Sequence, residues 1–587
     1  MNGEWSLEAL YSGYEDPAYL ADEQEADRLG EQINALAETM EERSAGENLL
    51  TVLPMLEKEA ELYDKLFNFS ALRQEANTAD EKSASRLGSL NQKINRTTKA
   101  KTRIFAYIAK IPELDLLIAQ EPLLQEYRYY LQCIREDDRY LLNGDVEEAL
   151  AKYGMSGGDA WSDLQAYLTS SVKAEYRGEK LTLSAVRNLA YDPEPEVRRQ
   201  AYEAELACYE KIKDAVAFSL NSIKMQTISE CELRGFASPL EKTLYESRMS
   251  RQTLDALLEA MREYMPAFWE YLRAKGRALG HVDGLPWYDL FAPMGGSSKK
   301  YTLEEAEAYL LRVFEPLNPK MAAIMQRAFC EKWIDFFPRE GKVGGAFCAD
   351  ISSIRQFRIL TNFDGSFSSI TTLGHELGHG YHDFMVQGNR PLNRSYSMPV
   401  AETASTFNEN VIMEEALATA ESEEQQLALA ESELMEVTQI ICDIYSRFLF
   451  EQEVCARRKE EFLFADQLCE MMLQAQKQAY GDGIAVDTLH PYMWICKSHY
   501  YGPDLAFYNF PYAFGGLFAR GLYAKYQAEG KSFLPKYDAM LRATPTTSVE
   551  DAARICDVDV TDKQFWLDSL QSYTPTIELF KRLTGQA

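Results

Sequence analysis

Gly374-His375-Glu376-Leu377-Gly378-His379-Gly380-Tyr381-His382 is the stretch whose reading decides the rest of this chain. His375, Glu376 and His379 form an HExxH pattern, and residues four apart on an α-helix lie on one face. Both imidazoles can therefore reach a single cation. Zinc takes neutral histidine nitrogen, and with three protein ligands it keeps a position open for water. Glu376, one step round the helix from His375, can stand beside that water and accept its proton. With only six histidines in 587 residues, HExxH is a rare chance event.

A third ligand has to come from elsewhere. His382 lies seven residues after His375 on the same face, but roughly 5 Å further along the axis than His379. Three histidines on one straight helix do not easily surround a tetrahedral ion. Glu402, in Val400-Ala401-Glu402-Thr403-Ala404-Ser405-Thr406-Phe407-Asn408-Glu409, is the better candidate. Gly388, Asn389, Pro391 and Asn393 lie between and end the first helix. From Ala401 the pattern is helical again, with Pro399 near its start. A returning antiparallel helix brings Glu402 to the histidine pair. Glu409, seven residues on, shares its face and can hydrogen-bond a ligand histidine. The bland alternatives are a first-turn acid at Glu402 and a solvated helix residue at Glu409. His382 then reads as a hydrogen-bonded neighbour or a substrate contact.

These two segments together resemble the oligoendopeptidase F branch of the thimet-oligopeptidase-like zinc metallopeptidases. Trp287-Tyr288-Asp289-Leu290-Phe291-Ala292-Pro293, Gly344-Gly345-Ala346-Phe347-Cys348 and Phe507-Tyr508-Asn509-Phe510-Pro511-Tyr512-Ala513-Phe514-Gly515 fit the same resemblance. It runs from about residue 200 to the C-terminus, with a looser match over the helical N-terminal region. It implies a mainly α, two-lobed fold with a deep central cleft and one small β-sheet beside the zinc helix. Residues 1–190 would be the helical lobe that covers the cleft, and 191–587 the catalytic domain. It implies one Zn2+ per chain and short oligopeptides as substrates.

Length, charge and cysteines bound the alternatives. A chain of 587 residues exceeds what a single core usually organises. A net charge of −30 argues against nucleic acid and anionic membranes as partners, because both attract basic surfaces. The ten cysteines are scattered singly, which reads as reduced thiols and not as a disulfide framework. The opening residues lack a basic start and an apolar stretch, and no apolar run nears the ~20 residues needed to span a bilayer. A cytoplasmic protein is expected; oligomeric state is not legible.

Residues from about 18 to 185 read almost entirely as helix. Leu53, Leu56, Leu62, Leu66 and Leu72 recur at roughly helical spacing, Gly154, Gly157 and Gly158 mark a break, and Pro195 reads as a first-turn proline. The clearest strand signal is the alternation of Phe357, Ile359 and Thr361. With a turn at Asp364-Gly365 and a second strand over 366–370, it predicts a hairpin just before the zinc helix. By the resemblance its edge near Phe357–Thr361 lies along the cleft and pairs with substrate backbone; alternatively it only packs on the helix. Gly344 and Gly345 make a loop that approaches substrate closely, or a plain turn. Gly374, Gly378 and Gly380 weaken the zinc helix, so close approach is expected there, above all by the helix bearing Glu402.

The remaining chemistry sits near the C-terminus. Peptide hydrolysis builds negative charge on the former carbonyl oxygen, and hydrogen-bond donors aimed at it lower the barrier. The resemblance implies that His499 and one or more tyrosines supply those donors. Gly502-Pro503-Asp504 alters the local spacing, and Phe510 stands where a tyrosine is expected. Tyr508 and Tyr512 are therefore taken together, with Tyr501 in reserve; with 34 tyrosines in the chain, aromatic packing is the competing reading. The expected activity is hydrolysis of internal bonds in short peptides, with Glu376 as general base. A zinc exopeptidase on the same scaffold and a non-catalytic peptide-binding protein are the alternatives.

Overall fold

The computed structural model describes residues 3–296 and 299–586. Three long helices, α1 (Pro17–Thr39), α2 (Ala45–Ala76) and α3 (Glu81–Ala109), open the chain and pack on one another. Each begins with a side chain that satisfies a free backbone amide: Asp16, Ser44 and Asp80. Leu53, Leu56, Leu62, Leu66 and Leu72 of α2 are all buried, as their spacing predicts. Gly157 separates the helix Gly144–Ser156 from Gly158–Ser171, and Pro195 opens the helix Pro195–Glu210.

The helical reading of residues 18–185 needs one correction. Strands β1 (Lys173–Tyr176) and β2 (Glu179–Thr182) form an antiparallel hairpin. Arg177 and Gly178 both take positive φ, 49° and 83°, the turn that matches the twist of paired strands.

Buried apolar residues divide into two main cores. One runs from Leu10 to Ile134 and takes in Ile351; the other runs from Ala174 to Phe580. The core changes over between Ile134 and Ala174, so residues 174–190 pack with the second body.

A three-stranded sheet joins the two. Strand β5 (Gln356–Leu360) lies between β3 (Ile334–Asp335), parallel to it, and β4 (Phe347–Ile351), antiparallel to it. The expected hairpin over 354–370 is therefore wrong in its partner. The strand at Phe357 pairs backward with β4, and Ser366 instead caps helix α4 (Phe367–Val386). The reason is local: Asp364 Oδ1 accepts hydrogen bonds from Ser366 N (2.8 Å) and Ser369 Oγ (2.6 Å), and Ser366 Oγ accepts from Ser369 N. These three hydrogen bonds close a helix start and leave no strand to form.

The edge near Phe357 is consequently not available to substrate. The opening segment of the chain covers the far side of the sheet: Phe336 N donates to Gly3 O and Ser6 N to Lys332 O, both at 2.8 Å. The outer edge belongs to β4, where Asn68 Nδ2 of α2 already occupies Asp350 O at 3.0 Å. The part of that edge nearest Gly344 and Gly345 remains.

Candidate metal centre and active site

Helix α4 carries the HExxH residues across the sheet and against helix α5 (Thr403–Ala418). The two helices approach so closely that a Cβ on Gly378 would stand 2.5 Å from Ala404 O and 2.6 Å from Ser405 Cα. A Cβ on Gly374 would meet Ile412 Cδ1 of α5 at 2.2 Å. Gly380 serves a different neighbour, the ring of Phe357 on β5 at 2.6 Å. Asn408 Nδ2 of α5 also donates to Gly374 O at 2.9 Å, tying the helices beside the site.

That approach brings Glu402 to the histidine pair. Glu402 sits at a non-helical junction, φ −84° and ψ 5°, between the short helix Met398–Ala401 and α5. Its Oε2 lies 3.4 Å from His375 Nε2 and 3.4 Å from His379 Nε2, and the two Nε2 atoms are 3.1 Å apart. A tetrahedral zinc with ligands at about 2.0–2.1 Å separates its donors by about 3.3–3.4 Å. The three atoms therefore fit one such cation, and they are the one metal-competent group of histidine, cysteine and acidic side chains among the described residues.

Neighbours orient these ligands. His375 Nδ1 donates to Glu409 Oε1 at 2.9 Å, which leaves Nε2 as the lone-pair nitrogen facing Glu402. Ser405 Oγ donates to Glu402 Oε2 at 2.8 Å. Burial opposes ionisation of Glu402, yet His379, His375 and Ser405 hold its carboxyl down to about 2. Ser405 was not singled out from the sequence, although its place three residues after Glu402 on a helix was the available signal. Glu376 is 6% exposed, and burial pushes its carboxyl upward against the pull of both imidazoles. With His375, Glu409, Gly345 and Ala346 it lines an open cleft of about 590 Å³. Gly345 holds φ +79°, and a Cβ on Gly344 would meet nothing within 4 Å, so neither glycine is required by packing.

His382 is placed elsewhere. Its ring is fully buried, stacks on Tyr396 at 4.1 Å, and its Nε2 is 2.9 Å from Thr544 Oγ1. Burial pushes its pKa down to about 3. It is a hydrogen-bonded core residue, and its burial corrects the idea of a substrate contact.

The C-terminal cluster meets the metal site through helix α6 (Phe510–Glu529). A Cβ on Gly515 would come within 2.9 Å of Glu402 Cβ, so the second turn of α6 lies against Glu402. The first turn carries Tyr512. His499 stacks on Tyr508 with ring centroids 4.9 Å apart, and Tyr512 lies 6.4 Å from His499 and 5.8 Å from Tyr508. Burial, aided by Arg447 and Lys497, holds His499 below the usual imidazole range, so it stands neutral with one N–H to donate. Burial and the Tyr508 hydroxyl push Tyr512 upward, keeping it a protonated donor. Tyr501 is corrected: it is buried and donates to Trp494 O at 2.9 Å, so its hydroxyl faces the core.

Fold and site together define a metallopeptidase of the helical HExxH type. The chain belongs to peptidase family M3, whose family model matches residues 188–572, while a second model, Oligopeptidase F, matches 111–173. Among similar proteins, oligopeptidase PepF of Bacillus subtilis is 25% identical over 537 residues, covering 89% of this chain and 78% of its own. An oligoendopeptidase F homolog of Borreliella burgdorferi is 23% identical, covering 84% of each chain. A crystal structure of a peptidase from Chlamydophila abortus superposes with a TM-score of 0.85 at 20% identity, covering 100% of this chain and 98% of that one. Oligoendopeptidase-F from Enterococcus faecium gives 0.69 at 19% identity, covering 96% and 100%.

Proposed function

We propose that this metallopeptidase is a zinc endopeptidase that cuts internal bonds of short oligopeptides, with Glu376 as its general base. The observation that carries the reading is the triangle of His375 Nε2, His379 Nε2 and Glu402 Oε2, with edges of 3.1, 3.4 and 3.4 Å. Zinc held by these atoms supplies Lewis acidity, which lowers the pKa of water toward about 7 and polarises the scissile carbonyl. Glu376 lines the cleft beside the ligands, accepts the proton of the attacking water and passes it to the leaving amine. His499, Tyr508 and Tyr512 donate toward the oxygen on which negative charge develops. Peptide backbone aligns along the free part of the β4 edge, next to Gly345 and Ala346. Relatives named for oligopeptides support the substrate class. All ten cysteines are unpaired, which suits a reducing compartment, and no described helix is long and apolar enough to cross a membrane.

His499→Ala is expected to lower kcat/KM by roughly 10–10³-fold with metal content unchanged, as loss of a transition-state donor does. Metal analysis beside steady-state kinetics checks this; wild-type kinetics would return His499 to a packing role.

Substrate length gives the second test. The side chains of His375, His379 and Glu402 are recessed, 20–24% exposed, and a folded domain of 100 residues, with a radius of gyration of about 13 Å, cannot bring its backbone to them. Peptides of roughly 6–20 residues, spanning about 3.3 Å per residue when extended, are expected to be cut internally. Mass spectrometry of products from casein and from a nine-residue peptide, digested side by side, decides the matter. Casein cleaved at many sites at a comparable rate rules out a length limit, and release of terminal residues alone makes the enzyme an exopeptidase.

A further inference from the structure

A second cavity, of about 390 Å³, opens beyond the His499 cluster. It lies among residues 184–205, 287–291 and 490–497, and neither the metal site nor its proton chemistry uses it. Its walls hold more hydrogen-bond donors than acceptors. Lys497 Nζ has Asp443 Oδ2 as its ion-pair partner, but at 3.7 Å, too far for a hydrogen bond, and Arg447 already binds that same oxygen. Arg187 Nε lies 3.1 Å from Glu205 Oε1, an oxygen that Tyr209 also engages at 3.0 Å. His490 is 1% exposed, and its Nδ1 accepts from Tyr492 N at 3.2 Å, which puts the ring proton on Nε2. That Nε2 faces Glu205 Oε1 at 3.4 Å and is shielded from the cavity. Arg198, the other cation in the wall, is fully engaged by Asp289 Oδ1 and the carbonyls of Asp192 and Pro193. Burial pushes the Lys497 ammonium below its ordinary range, as befits a cation short of compensating charge.

The cavity lies near the His499 cluster of the active site. Lys497 is two residues from His499, and Arg447 reaches from Asp443 to Asn509 Oδ1 (3.1 Å), the residue after Tyr508.

We propose that this cavity is a peptide subsite for a carboxylate, held by Lys497 and Arg187. A carboxylate accepts only, so it matches two cations whose acidic partners, Asp443 at 3.7 Å from Lys497 and Glu205 at 3.1 Å from Arg187, are each shared with another donor. The carboxylate comes from the C-terminus of the peptide or from an acidic side chain. The inference rests on the oligopeptidase reading but is tested by binding, so that the two can fail separately.

The test uses the full chain carrying Glu376→Gln and N-terminally labelled nine-residue peptides read by fluorescence anisotropy. One peptide has a free C-terminal carboxylate and no acidic side chain, and a second is its amide. Further amides carry a single Glu or Gln at successive positions. At least one carboxylate peptide is expected to bind about tenfold or more tighter than its neutral counterpart, the scale of a charge-assisted hydrogen bond. Which pair shows the preference identifies the source. Lys497→Gln and, separately, Arg187→Gln are expected to shrink the ratio to within about twofold, and Lys497→Arg to restore part of it. A preference that survives in both Gln variants overturns the proposal. So does a wild-type ratio near one for every pair, which would mean a cavity holding water only, or no binding by any peptide. If the parent enzyme cleaves nothing while the ratio holds, the peptidase reading fails and this one stands.

Discussion

Glu376→Gln is expected to lower kcat/KM by at least ~10²-fold while metal content stays at the wild-type level. The substitution keeps the shape of the side chain and removes its capacity to take a proton. Glu376 is not part of the ligand triangle, whose three atoms belong to His375, His379 and Glu402. It makes none of the contacts that orient those ligands; Glu409 and Ser405 do that. Its carboxyl lines the cleft while being 6% exposed, the setting that raises a base toward working pH. Kinetics on a quenched fluorescent peptide, with metal measured on the same preparation, checks the prediction. More than a tenth of wild-type activity at full occupancy would falsify the assignment of the base.

Glu402→Ala is expected to weaken metal binding by at least ~100-fold, above the 10–100-fold range for loss of an outer partner. Two histidine nitrogens 3.1 Å apart remain, on one helix and with no group on the other side of the ion. Because a metal bound only by the folded state stabilises it, chelation should lower the melting temperature of the wild type and leave that of Glu402→Ala unchanged. His382→Ala supplies the contrast. Its ring is buried against Tyr396, so its loss should cost about 2–4 kcal/mol of stability while metal occupancy persists. The reverse pattern, metal lost with His382 and kept without Glu402, would overturn the coordination assigned here.

The residues proposed to hold the metal and to act as base were legible because their geometry is local. A four-residue spacing on one helix places His375 and His379 together whatever surrounds them. Glu402 was reachable for a related reason. Turn-forming residues end α4 after the histidines, and a second helical pattern follows directly, so a return beside the first is the short connection. The glycines of α4 announced that the return is close, and Gly374 and Gly378 do lie against α5.

Other features depended on contacts that no local pattern encodes. The strand at Phe357 had two sequence neighbours with which to pair. The choice of β4 followed from the polar closure of the α4 N-terminus by Asp364, Ser366 and Ser369. The tyrosines near His499 have the same composition and similar spacing. Tyr501 turns to Trp494 O, while Tyr512 is carried to Glu402 by the packing of Gly515, more than a hundred residues from that ligand in the chain. The donor-rich cavity joins Arg187, His490 and Lys497 across some three hundred residues. The sequence by itself thus determined the helix face that holds the histidines, the carboxyl between them and the metallopeptidase class. Tertiary structure alone decided strand pairing, the burial of His382 and the assembly of the second cavity, because each depends on which distant groups share a space and satisfy one another there.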